Sequence, residues 1–195
     1  MMFAEPDEVE HPAVFITVKT TGKSYEQDEV IGFTAIDENG EVLMNKKFRP
    51  SFKELWYEKA DNPTHIRPAS VFGDDEIKPI DASAAEITRL LRDAKSVIGW
   101  NLHFQLDMLH ACRVDVPPQH KFIDLGRALY TDPRKPNKNR RNSFDGKAQE
   151  KFANAVRVNL GEEYAAEKPL DDAVYIMRIW QATFGAKTEY DDVPF

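Results

Sequence analysis

The dipeptide Asn39-Gly40 stands between two strand-like runs, Val30 to Asp37 and Glu41 to Phe48. Asn-Gly accepts the positive φ angles that tight hairpin turns demand, so it is a strong short-range hairpin signal. The two runs are therefore expected to pair as antiparallel neighbours. Upstream, Ala13-Val14-Phe15-Ile16-Thr17-Val18 is a short apolar, β-branched run that predicts a buried strand, broken by Thr20-Thr21-Gly22. A three-strand meander opens the chain.

The rest alternates. Pro50 to Pro79 holds several prolines and reads as irregular. Ser83-Ala84-Ala85-Glu86 has the form of a capping box, and Ile87, Leu90, Leu91 and Ala94 follow at helical spacing. Ser96 to Gly99 predicts a fourth strand. Asn101 to Cys112 predicts a helix with Phe104, Met108 and Leu109 inward. Phe122-Ile123 predicts a last strand, and Asp124 is placed to cap a helix through Tyr130. Helical patterns return over Ala148 to Val158 and Leu170 to Phe184, where Gly185 ends the last helix. Strands first, then alternating helix and strand, point to an α/β fold around a mixed sheet. The expected division is an acidic extension over 1–12, one domain over 13–184 with a basic loop at 132–147, and a flexible tail over 185–195.

Apolar residues make up 42% of the 195, enough for a packed core, which argues against disorder. The formal net charge of -7 argues against strong non-specific DNA binding, because phosphate contacts need clustered Lys and Arg. Cys112 is the only cysteine, so an internal disulfide is excluded and a reducing compartment is expected. Its apolar helical context suits a small core residue. The acidic start carries no signal pattern, and no apolar run reaches the roughly 20 residues of a membrane helix. A cytoplasmic protein without membrane contact is the expectation.

Three segments resemble a family. Phe15-Ile16-Thr17-Val18-Lys19-Thr20-Thr21-Gly22 is similar to an apolar strand ending Asp-x-Glu-Thr-Thr-Gly. Ile98-Gly99-Trp100-Asn101-Leu102-His103-Phe104-Gln105-Leu106 is similar to Gly-His-Asn-x-x-Phe-Asp-Leu. Glu167-Lys168-Pro169-Leu170-Asp171-Asp172-Ala173 is similar to His-x-x-Leu-Asp-Asp-Ala. Ile123-Asp124-Leu125 also matches a segment common between the second and third motifs. These are the motifs of DEDDh 3′-5′ exonucleases, which include the proofreading subunit of the bacterial replicative polymerase and ribonuclease T. The resemblance spans roughly Ala13 to Phe184 and implies an RNase H-like fold, a mixed five-stranded sheet flanked by helices.

The same resemblance implies two divalent ions held by carboxylates and a histidine general base. Here the first Asp position is Thr17, the Glu position Lys19, the second Asp position Gln105 and the His position Glu167; Asp172 alone matches. Thr and Gln are neutral donors and poor ligands for Mg²⁺, and the Lys19 ammonium repels any cation nearby. Asp107 lies two residues past Gln105, on a different helix face. A degenerate, inactive exonuclease is the leading expectation, with no cofactor. The alternative is an active enzyme with an altered site that uses Mg²⁺ or Mn²⁺. Lys19 has two readings: a cation that holds a phosphate, or a partner of Asp172 or Glu167 that stabilises the fold, the second being favoured.

The chain closes with Glu189-Tyr190-Asp191-Asp192-Val193-Pro194-Phe195. This resembles the tip of bacterial single-stranded DNA-binding protein (SSB), which ends Asp-Asp-Asp-Ile-Pro-Phe. The resemblance implies that Phe195 fills an apolar pocket, its carboxylate takes a bond from Arg or Lys, and Asp191 and Asp192 meet a basic rim. Val193 and Pro194 complete the match. The implied partners are genome-maintenance proteins of a bacterial or phage setting: a helicase, an exonuclease, primase or a clamp-loader subunit. The alternative is a tail that packs back on its own domain or stays solvated.

Arg134, Lys135, Lys138, Arg140, Arg141 and Lys147 share a stretch with few apolar residues. It has the composition of a phosphate-contacting segment, with Phe144 available to stack on a base. A solvated loop, or one that pairs with the acidic tail, is an equal reading. A third function follows: a non-catalytic module for single-stranded DNA or RNA. The family resemblance is also compatible with a homodimer.

Overall fold

A computed structural model describes residues 13–51, 66, 68–116, 118, 121–130, 148–165 and 168–185. The basic stretch 132–147, Glu167 and the C-terminal residues 186–195 lie outside them.

Strands β1 (Ala13–Thr20), β2 (Val30–Asp37) and β3 (Val42–Lys47) form the expected meander. Gly40 has φ +83, the left-handed angle that the turn requires. Asp37 organises that turn: its carboxylate accepts the backbone N–H groups of Asn39 and Glu41 at 2.9 and 2.7 Å. Strands β4 (Ser96–Gly99) and β5 (Phe122–Asp124) complete a five-stranded sheet in the order β3-β2-β1-β4-β5. β1 pairs antiparallel with β2 and parallel with β4, and β4 pairs parallel with β5. The sheet is mixed, as expected.

Helices cover both faces. On one face lie α2 (Ala84–Asp93) and α3 (Leu102–Ala111), packed on Val14, Ile16 and Val18 through Ile87, Leu91, Met108 and Leu109. On the other lie α4 (Leu125–Tyr130), α5 (Ala148–Leu160) and α6 (Pro169–Phe184), packed on Ala13 and Phe15 through Phe152, Ala155, Ile176 and Ile179. The alternation along β1 thus divides its side chains between two cores, as a strand's period of two requires. Cys112 is a free thiol, partly buried against the first core. Among the described residues no helix is long and apolar enough to cross a membrane.

Three local readings differ. The Pro50–Pro79 stretch contains a short helix, α1 (Ala69–Phe72), which places Val71 against Ile31 and Ile66. Ser83 precedes α2 but makes no side-chain cap; Glu86 instead pairs with Lys46 of β3 at 2.5 Å. A long-range ion pair takes the carboxylate that the local motif would have used. In α3 the inward positions are Leu102, Gln105, Leu106, Met108 and Leu109, while Phe104 is only half-buried.

Gly99 ends β4 where the chain turns into α3. A Cβ there would lie 2.8 Å from Leu102 Cδ1 and 3.4 Å from the Ile16 carbonyl oxygen, and Leu102 is itself fully buried. Gly99→Ala is therefore expected to destabilise the fold by about 1–3 kcal/mol, read as a lowered urea midpoint.

Candidate functional site

The carboxyl end of β1, the turn from β4 into α3, and the first turns of α5 and α6 converge on one pocket of about 180 Å³. Thr17, Lys19, Gln105 and Asp172 all line it, with Trp100, Asn101, Phe104, Phe152 and Tyr164 among their neighbours. Four of the five positions singled out in the sequence are thus brought together; Glu167 lies outside the described residues. Asp107 is exposed on the far side of α3 and does not line the pocket.

The charged and phenolic groups described in this pocket are engaged with one another. Lys19 lies on the same face of β1 as Thr17, and its Nζ donates to Asp172 Oδ2 from across the pocket. The other oxygen, Asp172 Oδ1, accepts the Tyr164 hydroxyl at 2.5 Å. Burial, followed by the adjacent Asp172 carboxylate, pushes the Tyr164 phenol far above its usual range, so Tyr164 stays a donor. Asp172 also sits in the first turn of α6, where the helix dipole favours a negative charge. At the edge of that turn Asp171 accepts the Lys168 backbone N–H at 2.8 Å.

Gln105 is a brace. Its Oε1 accepts the Val18 backbone N–H at 2.9 Å, and its Nε2 donates to the Trp100 carbonyl at 2.6 Å. The amide thereby ties β1 to the start of α3. It is 7% exposed, so both bonds are made away from water. Trp100 packs on Phe152 with ring centroids 5.0 Å apart, and its indole N–H donates to the Ala148 carbonyl at 2.9 Å. Phe152 in turn meets Tyr164 at 5.2 Å. An aromatic wall joins the turn before α3, helix α5 and the segment that leads to α6.

The α3 end of the wall is set by Asp124. Asn101 adopts a left-handed conformation, φ 55, and makes no side-chain cap of its own. Asp124 supplies it from β5: its carboxylate accepts the N–H groups of Asn101 and Leu102 at 3.2 and 2.9 Å, and that of Arg127 at 3.3 Å. It caps α4, as the sequence implies, and α3 as well. Burial is the largest influence on this carboxyl and raises its pKa, opposed by the Arg127 backbone bond and the Arg127 charge.

A divalent ion of the kind the exonuclease resemblance implies needs several carboxylate oxygens. Asp172 is the sole carboxylate among the described lining residues, and both of its oxygens are engaged. Among the described residues no group of three or more His, Cys, Asp or Glu is placed to hold a metal. The described residues do not fit such an ion. The sequence reading missed Tyr164, whose relation to Asp172 follows from no periodic pattern, and the second capping role of Asp124. Trp100 lay within a recognised motif, but its contact to α5 is tertiary.

Two outcomes test this geometry. Gln105→Leu removes both bonds and leaves the buried Val18 N–H without its side-chain acceptor, and is expected to lower stability by about 1–3 kcal/mol in urea denaturation. For Asp124 the folded pKa is raised, so between the unfolded and folded values the folded state holds the extra proton and its stability rises as pH falls. The wild type should therefore gain stability relative to Asp124→Asn as the pH is lowered from neutral, seen in denaturation midpoints at stepped pH.

No protein-family model matches this chain, and no curated protein matches it in sequence. Among solved structures it is similar to the Pan2 catalytic unit of Neurospora crassa, described as a protease and nuclease domain, with a TM-score of 0.63 at 13% identity. The match covers 93% of this chain and 28% of that one, so the chain spans under a third of that protein's length. At this identity the likeness concerns the fold. The chain has an RNase H-like α/β fold, a mixed five-stranded sheet flanked by helices.

Proposed function

We propose that this chain is a non-catalytic exonuclease-fold protein that docks onto DNA replication or repair proteins through Asp191 to Phe195, as an adaptor or as a competitor of SSB. The observation that carries the non-catalytic half is the closed bonding of the pocket. Asp172 is held by Lys19 and Tyr164, and Gln105 by Val18 and Trp100. Neither has the spare oxygens that a two-metal mechanism uses to generate hydroxide and steady a leaving group. Lys19 adds a positive charge where a metal cation would have to approach.

The docking half rests on the sequence. The tail ends Asp-Asp-Val-Pro-Phe, with an apolar ring, a terminal carboxylate and acidic residues in the order that C-terminal capture uses. A short peptide that orders on binding reaches roughly micromolar affinity. Receptors of this chemistry include helicases, exonucleases, primase and clamp-loader subunits.

One observation supports a second reading. Trp100, Phe104, Phe152 and Tyr164 line the pocket, and aromatic side chains are stacking platforms for bases. A module for single-stranded DNA or RNA, aided by Arg134, Lys135, Lys138, Arg140 and Arg141, would use that wall.

Purified protein is expected to leave single-stranded DNA and RNA intact with Mg²⁺ or Mn²⁺. Degradation that persists through a second purification and is abolished in Asp172→Ala would defeat the reading. A labelled tail peptide is expected to bind an SSB-tail receptor and to lose that binding when Phe195 is deleted; equal binding by both peptides removes the docking half. Salt-sensitive single-strand binding that is indifferent to Phe195 would instead favour the nucleic-acid module.

A further inference from the structure

The unusual feature of the pocket is a largely buried cation. The Lys19 side chain is 13% exposed and the Asp172 side chain 7%. They join segments 153 residues apart in sequence, the central strand β1 and the first turn of α6. A buried lysine loses hydration, and only a close carboxylate offsets that loss. The surroundings are arranged to allow it. Gly32 lies opposite Lys19 in the β1–β2 pairing; a Cβ there would meet Ile66 Cδ1 at 2.7 Å and would only touch the Lys19 Cβ, at 3.4 Å. On the carboxylate side, Tyr164 takes the second oxygen, so Asp172 has a charged and a neutral partner, one on each oxygen.

We infer that Lys19 is a resident cation that holds the pocket together without a divalent ion, and that the stability of this fold is therefore indifferent to divalent metals. The inference rests on the non-catalytic reading of the same pocket and assigns it a positive role. In a site built around metal ions, clustered carboxylates repel one another until the ions bind, and ion binding stabilises the folded state by mass action. Here the ammonium travels with the chain. It neutralises Asp172 as soon as β1 and α6 meet, and it fixes α6 on the sheet beside the aromatic wall. Asp171, which adjoins Asp172 and bears on Tyr164, is directed instead to the Lys168 backbone N–H.

The test is thermal unfolding of the full chain in EDTA, in Mg²⁺ and in Mn²⁺, with each ion titrated to excess. The wild type is expected to give one melting temperature in all three conditions. Lys19→Met, which keeps the stem and removes the charge, leaves Asp172 buried without its counter-charge and should lower that temperature by roughly 5–15 °C. Lys19→Met combined with Asp172→Asn should recover most of the loss, because the two effects are coupled rather than additive. Lys19→Arg should stay within a few degrees of the wild type by the same charge argument. Should Lys19→Met not fold, the wild-type metal series and the Lys19→Arg variant decide the matter. A saturable rise of the wild-type melting temperature with Mn²⁺ would overturn the inference, as would a Lys19→Met protein as stable as the wild type. Such a rise without nucleic-acid degradation leaves the non-catalytic reading standing; degradation at an unchanged melting temperature defeats that reading alone.

Discussion

The hydrogen bonding of β1 on both of its edges is the constraint on which the remaining structure rests. β1 pairs antiparallel with β2 and parallel with β4, so it cannot shift along either neighbour without breaking both ladders. A one-residue slip would exchange its two faces and move Thr17 and Lys19 into the wrong core. Fixed in this way, β1 presents Ala13 and Phe15 to α5 and α6 and, further along the same face, Thr17 and Lys19 to the pocket. Val14, Ile16 and Val18 face α2 and α3. The position of every pocket residue on β1 is thus a consequence of strand pairing.

Two buried polar side chains then join the helices to that strand. Gln105 reaches from α3 to the Val18 N–H, and Asp172 reaches from α6 to Lys19. A third, Asp124, works one strand over and orders the turn that carries Trp100 and Asn101. Each has a partner distant in sequence and one near it, and is hydrogen-bonded, the condition under which burying a polar group is tolerated. The contrast with a metal-binding arrangement is one of bonding capacity. A neutral amide with both ends committed and a carboxylate with both oxygens committed form a self-contained network, whereas a cation site needs oxygens left over. The fold supplies the framework, and these bonds set the chemistry within it.

The sequence itself determined much of the framework. The hairpin was legible at Asn39-Gly40, because a left-handed turn residue between β-rich runs has few alternatives, and Gly40 does adopt a positive φ. The strand at Ala13 to Val18, the helices after Ser83 and Leu170, and Gly185 as a helix stop follow from composition and period alone, since these are local preferences. The convergence of Thr17, Lys19, Gln105 and Asp172 was readable from motif order, because that order is what the fold preserves. Tertiary structure decided what the residues do there. That Glu86 pairs with Lys46 instead of capping its own helix, that Gln105 braces β1, that Tyr164 closes Asp172 and that Asp124 serves two helices all depend on partners brought together by packing. A local pattern cannot encode such choices, because a polar side chain bonds with whatever group the folded chain places beside it, and that group is often a hundred residues away.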